Sequence, residues 1–136
     1  MSSRTKARKR ALDVIYGADL RERSLTEALA EEELRATSYP ERAGSWAYAR
    51  EIVAGVDAHL DELDAVIEAH TNGWPLDRMP PVDRALIRIG AWEILHNDEV
   101  PDGVAIAEAV EAASQLSTDE SGAFVNGVLS AIARGR

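Results

Sequence analysis

The stretch 82–96, VDRALIRIGAWEILH, decides the fold. Val82, Leu86, Ile89 and Ile94, joined by Ala85, Trp92 and Leu95, leave this segment little polar surface. Its spacing is helical, and a helix that is apolar almost all round has to sit centrally, covered by other helices. Breaks bound it on both sides. TNGWPLDRMPP (71–81) is dense in Gly and Pro, and NDEVPDG (97–103) follows it.

The covering helices lie outward in both directions. Downstream, GVAIAEAVEAASQL (103–116) reads as a sixth helix with Asp102 able to cap it. Ser117 and Glu120 stand at capping-box spacing for a seventh helix that runs to the end. Upstream, helical periodicity runs from about Glu41 to His70. Trp46, Ala49, Ile52, Val53 and Val56 form its first apolar face, and Leu60, Leu63, Val66 and Ile67 its second. A bend near Gly55–Asp57 is expected to divide it into two helices. Pro40 ends the preceding helix, because it disfavours helical backbone at Tyr39. That second helix, LTEALAEEELRA (25–36), has Ser24 as N-cap and Glu27 in the capping-box position. Leu25, Ala28, Leu29, Leu34 and Ala36 give it a weak stripe, and Glu31, Glu32 and Glu33 form a solvated face. The first helix, about Arg4 to Leu20, carries Ala7, Ala11, Val14, Ile15 and Ala18 on one stripe. No segment alternates as a strand does. The expectation is an all-α, seven-helix bundle in a single domain over 1–136, with short connections that favour antiparallel neighbours.

Composition narrows the chemistry. The chain has no cysteine, which excludes disulfides, thiolate metal sites and cysteine nucleophiles. No apolar run approaches the roughly 20 residues that span a bilayer, and no apolar h-region follows the basic start. A cytoplasmic protein away from membranes is expected. There is no phosphate-cradling glycine loop and no H-E-x-x-H pair. His59, His70 and His96 are scattered and read as surface or helix-end residues, so no metal or other cofactor is expected. Acids are plentiful at charge-pair spacings, but no nucleophile–base–acid constellation exists. The chain does not read as an enzyme.

The net charge is −9, yet its distribution is uneven. RTKARKR (4–10) holds five of the 15 basic residues and no acid, which leaves ten basic residues against 24 acids, a body near −14. A basic end on an acidic body suits a localised polyanion contact, and the alternative is a solvated terminus.

Three further segments carry a resemblance. LDRMPPVDRALIRIGAWEIL (76–95), VPDGVAIAEAVEAA (100–113) and LSTDESGAFVNGVL (116–129) resemble the C-terminal half of the NusB family of bacterial transcription antitermination factors. The basic first helix RTKARKRALDVIYGADL is similar to that family's arginine-rich N-terminus. The resemblance spans essentially the whole chain and is weakest over residues 21–44. It implies two three-helix subdomains packed together and no catalysis. It implies binding to the boxA element of ribosomal RNA leader transcripts, as single-stranded RNA, together with NusE, a small-subunit ribosomal protein. The complex joins the transcribing RNA polymerase. A homodimer that covers the basic site is an alternative state in the family. On this chain the RNA contacts would fall to Arg4, Lys6 and Arg8, with Lys9 and Arg10 extra or shifted, and to the block from Glu120 to Phe124. The NusE contacts would fall to Tyr16 and Asp83. Many relatives carry lysine before F-V-N-G, where this chain has Ala123, so one phosphate contact is expected to be missing. NusB-like domains also occur fused to ribosomal RNA cytosine methyltransferases, but that chemistry needs a cysteine nucleophile, and the sequence ends at Arg136. A purely protein-binding helical adaptor is the third reading.

Within SGAFVNGVL (121–129), Val125, Val128, Leu129 and Ile132 suffice to anchor the last helix. Given the family resemblance, Phe124, the only phenylalanine in the chain, is then expected at the rim, where an aromatic face can stack an unpaired base. The alternative is an ordinary core residue. Gly127 is expected to permit close approach of another backbone.

Overall fold

A computed structural model describes residues 2–136, apart from the side chain of Arg42. Seven α-helices and no strand are present among these residues. The helices are α1 (Ser3–Leu20), α2 (Leu25–Ala36), α3 (Ala43–Ala58), α4 (Leu60–Glu68), α5 (Pro81–His96), α6 (Asp102–Leu116) and α7 (Ser121–Gly135). Single 3₁₀ turns at Pro40–Arg42 and Leu76–Arg78 lead towards α3 and α5. The chain divides into two compact units, one ending at Ala58 and the other running from His59 to Arg136. The first contains α1–α3. The second contains α4–α7, the short α4 being the seventh helix of the expected count.

In the first unit α1 packs on α3. Its stripe of Ala7, Ala11, Ile15 and Ala18 is buried, as are Ile52, Val53 and Val56 of α3. Alanines on the shared face let two helices approach closely. The basic run belongs to this helix and is not a frayed tail: Ser2 caps it, its side chain accepting from the Thr5 amide at 3.0 Å. Ser24 caps α2 as expected, accepting from the Glu27 amide at 3.1 Å. The stripe of α2 is narrower than expected. Leu34 is 74% exposed, because Leu25 and Ala28 already complete the buried side. The break between α3 and α4 falls at His59, slightly later than the bend expected near Gly55–Asp57.

In the second unit α5 is surrounded by α4, α6 and α7. Ala85, Ile87, Ala91 and Ile94 are buried on it, with Leu63 and Ile67 from α4 and Val125, Leu129 and Ile132 from α7. Ala105, Ala109 and Ala113 form the buried row of α6. Arg88 donates two hydrogen bonds to Asp64, at 2.8 and 2.9 Å, tying α5 to α4.

Two expected caps are corrected. Asp102 is the first residue of α6, after Pro101, and its carboxylate accepts from Arg136 at 2.9 Å. Ser117 ends α6, and Glu120 makes no side-chain cap hydrogen bond for α7. The Ser117 hydroxyl instead donates to Asp83 at 2.6 Å. A buried carboxylate needs donors more than a solvated helix end does, so it takes the hydroxyl.

Two helical glycines of this unit, Gly90 and Gly127, differ. A Cβ at Gly90 would lie 2.6 Å from a Leu129 methyl, so α5 and α7 meet there at glycine distance. A Cβ at Gly127 would meet nothing within 4 Å among the described residues, so the expected close backbone approach does not explain that glycine. Gly127→Ala should therefore stabilise the fold by about 0.5–1 kcal/mol through helix propensity and lost unfolded-state freedom. Gly90→Ala should be less stable than Gly127→Ala by about 1–3 kcal/mol, the typical cost of overpacking. Urea denaturation of the two variants checks the difference.

Candidate nucleic-acid interface

Five cations on about two turns of one helix repel one another unless something orders them. In the first unit α3 supplies aromatic faces. The guanidinium carbon of Arg4 lies 4.4 Å from the centre of the Tyr48 ring, and that of Arg8 lies 5.7 Å from the same ring. Arg10 lies 5.2 Å from the Trp46 ring and donates to the Ser45 hydroxyl at 3.2 Å. Such contacts contribute about 0.5–1 kcal/mol when exposed and about 2 kcal/mol when desolvated. Arg8 is 9% exposed and Tyr48 is buried, so Arg8 mainly positions the array. Arg4, Lys6 and Lys9 are exposed. Lys9 pairs with Asp13 at 2.9 Å, a solvated contact worth little. The structure thus brings three of the five basic residues, Arg4, Arg8 and Arg10, together with Tyr48, Trp46 and Ser45, of which the sequence reading had named only Trp46, on an apolar face.

In the second unit Phe124 is half-buried and absent from the core. The Trp74 ring meets it edge-to-face, with centroids 4.8 Å apart. Trp74 is 39% exposed, large for a tryptophan. It is held there by a tight loop. Asn72 and Gly73 take left-handed backbone (φ 54° and 84°), and the buried Thr71 hydroxyl donates to the Trp74 carbonyl at 2.7 Å. Glu120, Asp119 and Ala123 lie exposed beside the start of α7. The sequence reading treated Trp74 as part of a linker. An aromatic residue directly after Asn-Gly was the available signal, since such turns hold the next side chain in a fixed direction.

The two residues assigned by resemblance to a protein partner behave differently. Tyr16 is half-buried and lines a cleft of about 330 Å³ between α1 and α2, with Gly17, Arg23, Ala28, Glu31 and Arg35. Arg23 donates to Glu31 there at 2.7 Å and holds the Glu31 carboxyl below its ordinary range. Asp83 is 2% exposed, and its two oxygens accept from Ser117 at 2.6 Å and Ser121 at 2.8 Å. Its carboxylate is therefore not presented to a partner. It fastens the start of α5 to the α6–α7 junction, at a residue for which the family resemblance implied a NusE contact.

Residues 5–134 match the NusB family. The chain belongs to the NusB family. It is 60% identical to the transcription antitermination protein NusB of Leifsonia xyli subsp. xyli, over all of this chain and 94% of that one. It is 61% identical to the protein of the same name from Clavibacter sepedonicus, over 98% and 97%. Among solved structures, the NusB of T. maritima superposes with a TM-score of 0.84 at 30% identity, covering 98% of this chain and 92% of that one. A structure of antitermination factors NusB and NusE with double-stranded RNA gives 0.84 at 29%, over 100% and 99%. The NusB assignment agrees with the all-α architecture and with a site made of charge and aromatic faces. No helix among the described residues is long and apolar enough to cross a membrane.

Asp83→Ala should destabilise this NusB fold by about 1.5–3 kcal/mol, since it leaves two hydroxyls without their charged acceptor. Ser121→Ala should cost less, and the double variant should fall short of the sum, because both act on one network. A double-mutant cycle from denaturant melts reads the coupling.

Proposed function

We propose that this chain is a transcription antitermination factor. It binds the boxA element of ribosomal RNA leader transcripts as single-stranded RNA, together with NusE. In the cytoplasm it joins the transcribing RNA polymerase and helps it read through terminators. The observation that carries the reading is the cationic face of α1, ordered on Tyr48 and Trp46. Preordered cations lose less side-chain entropy when they meet phosphates. Trp74 and Phe124 supply what an unpaired base needs, an accessible aromatic surface. The Tyr16 cleft offers an amphipathic pocket for the NusE contact, while Asp83 acts on that contact only through the fold. Ala123 removes a lysine common at this place, so binding leans more on α1 and on NusE.

The test is a titration of the full chain with a single-stranded boxA RNA, a scrambled strand and a duplex, with and without NusE. With Arg8 buried, about four cations remain to meet phosphates, and log K against log salt should fall with a slope of about −2.8 for the single strand. Each of Lys6→Ala and Arg4→Ala should reduce that slope by about 0.7. Deleting residues 1–10 would not serve, because Ala7 and Arg8 are buried in the fold. Equal, salt-insensitive binding of all RNAs, or NusE binding with no RNA binding, would leave a protein adaptor.

Trp74→Ala and Phe124→Ala should each weaken RNA binding by about 1–3 kcal/mol. Trp74→Ala should cost less stability than the roughly 3–5 kcal/mol of a core aromatic truncation, since Trp74 is 39% exposed. Affinity and melting measured on the same samples separate stacking from folding.

A further inference from the structure

His59 and His96 are 37 positions apart in sequence and meet at one end of the second unit. His59 immediately precedes α4, Glu62 lies in its first turn, and His96 is the last residue of α5. The two imidazole rings stack at 3.8 Å with an interplanar angle of 12°. His96 Nε2 lies 2.6 Å from one oxygen of Glu62, and His59 Nδ1 lies 3.8 Å from the other. One donor atom from each of the three residues falls within 4.8 Å of the others. We propose that His59, Glu62 and His96 form a binding site for a divalent transition-metal ion of the zinc class.

The donor set selects the ion. Two imidazole nitrogens and one carboxylate suit zinc, cobalt or nickel, whereas magnesium and calcium require oxygen ligands. Zinc bonds these atoms at about 2.0–2.2 Å, which places neighbouring donors of a tetrahedral site roughly 3.4 Å apart. The observed 2.6 and 3.8 Å bracket that spacing. Stacked rings aim their in-plane lone pairs side by side, so one ring has to turn about its Cβ–Cγ bond to converge with the other. Both rings have freedom to do so: the His59 side chain is 39% exposed, that of His96 25%, and that of Glu62 52%. His96 gives up its hydrogen bond to Glu62, and its proton resides on Nδ1 once Nε2 is a ligand. His59 has less to lose, since 3.8 Å is too long for a hydrogen bond and it makes no side-chain cap contact.

The surroundings favour a cation on balance. The carbonyl end of α5 points its dipole towards the ion, which offsets the opposing dipole at the start of α4. Asp61 adds a second acid to the first turn of α4, and Asp98 and Glu99 follow His96 in the chain. With three protein ligands the site is open, and water completes it. The ion would clamp the first turn of α4 to the last turn of α5. α4 has only nine residues, so it gains the most from such a clamp.

The experiment is calorimetric titration of the untagged full chain with zinc chloride near neutral pH. Cobalt absorption serves as a second reading of coordination. One ion should bind per chain, and the melting temperature should rise with zinc concentration. Magnesium should do neither. His59→Ala, His96→Ala and Glu62→Gln should each weaken binding by at least about tenfold, as loss of even an indirect metal contact costs about 10–100-fold. His70→Ala is the control, since the His70 ring is engaged by the Val66 carbonyl at 2.8 Å, outside the cluster. Circular dichroism confirms that each variant is folded, and Glu62→Gln keeps the side-chain size should a histidine variant unfold. No saturable binding, or binding that survives His96→Ala or Glu62→Gln, overturns the proposal, as does equal loss in His70→Ala.

Discussion

A helix with apolar residues on nearly every side cannot end its burial at one neighbour. α5 imposes that constraint on the second unit: three helices are needed to cover it, and α4, α6 and α7 provide them. Gly90 shows how tightly, since a Leu129 methyl lies only 2.6 Å from where a Cβ would be. The polar groups that remain on α5 then have to be satisfied from the covering helices. Arg88 finds Asp64 on α4, and Asp83 finds Ser117 and Ser121 around the α6–α7 junction. The junction is consequently set by a hydrogen-bond requirement of the central helix. The position of Phe124, one turn further on, follows from where that junction places the first residue of α7.

Local signals were readable wherever the competing interactions are local. The Ser24 cap, the Ala7–Ala11–Ile15 stripe and the central role of α5 all depend on residues within a few turns of one another. The capping box at Ser117 failed for the opposite reason. Its hydroxyl is claimed by Asp83, 34 positions earlier, and no periodicity reports that claim. Burial of Asp83 was illegible on the same grounds, since an acid in the first turn of a helix is ordinarily a surface residue. At the candidate site the charges were legible and their support was not. Trp46 reads as part of an apolar face and Tyr48, two positions on, carries no periodic signal of its own, and only the packing of α1 against α3 turns the two rings into a floor for arginines.

The polyanion contact proposed for an acidic protein raises a question of range. The body carries about −14 against the five cations of α1, yet ions at physiological salt screen exposed charges beyond about 8 Å. Approaching phosphates therefore sense mainly the nearest side chains. The acids of the first unit are partly neutralised in place. Glu31 is held by Arg23, Asp13 by Lys9, and Glu33 by Arg50. These pairs add little stability, but they reduce the repulsive field close to the basic helix.

The arginine array lends α1 a property that its sequence does not carry alone. The seven residues Arg4–Arg10 would keep their charge if moved onto another protein, but Arg4, Arg8 and Arg10 would lose the rings of Tyr48 and Trp46 beneath them. A grafted heptapeptide would thus become a diffuse cationic tag, attracted to any polyanion. On the proposed reading, selectivity belongs to the pair of helices as a unit. Substitution of Tyr48 or Trp46, which alters no charge, is therefore as able to change this surface as drift in the basic run itself.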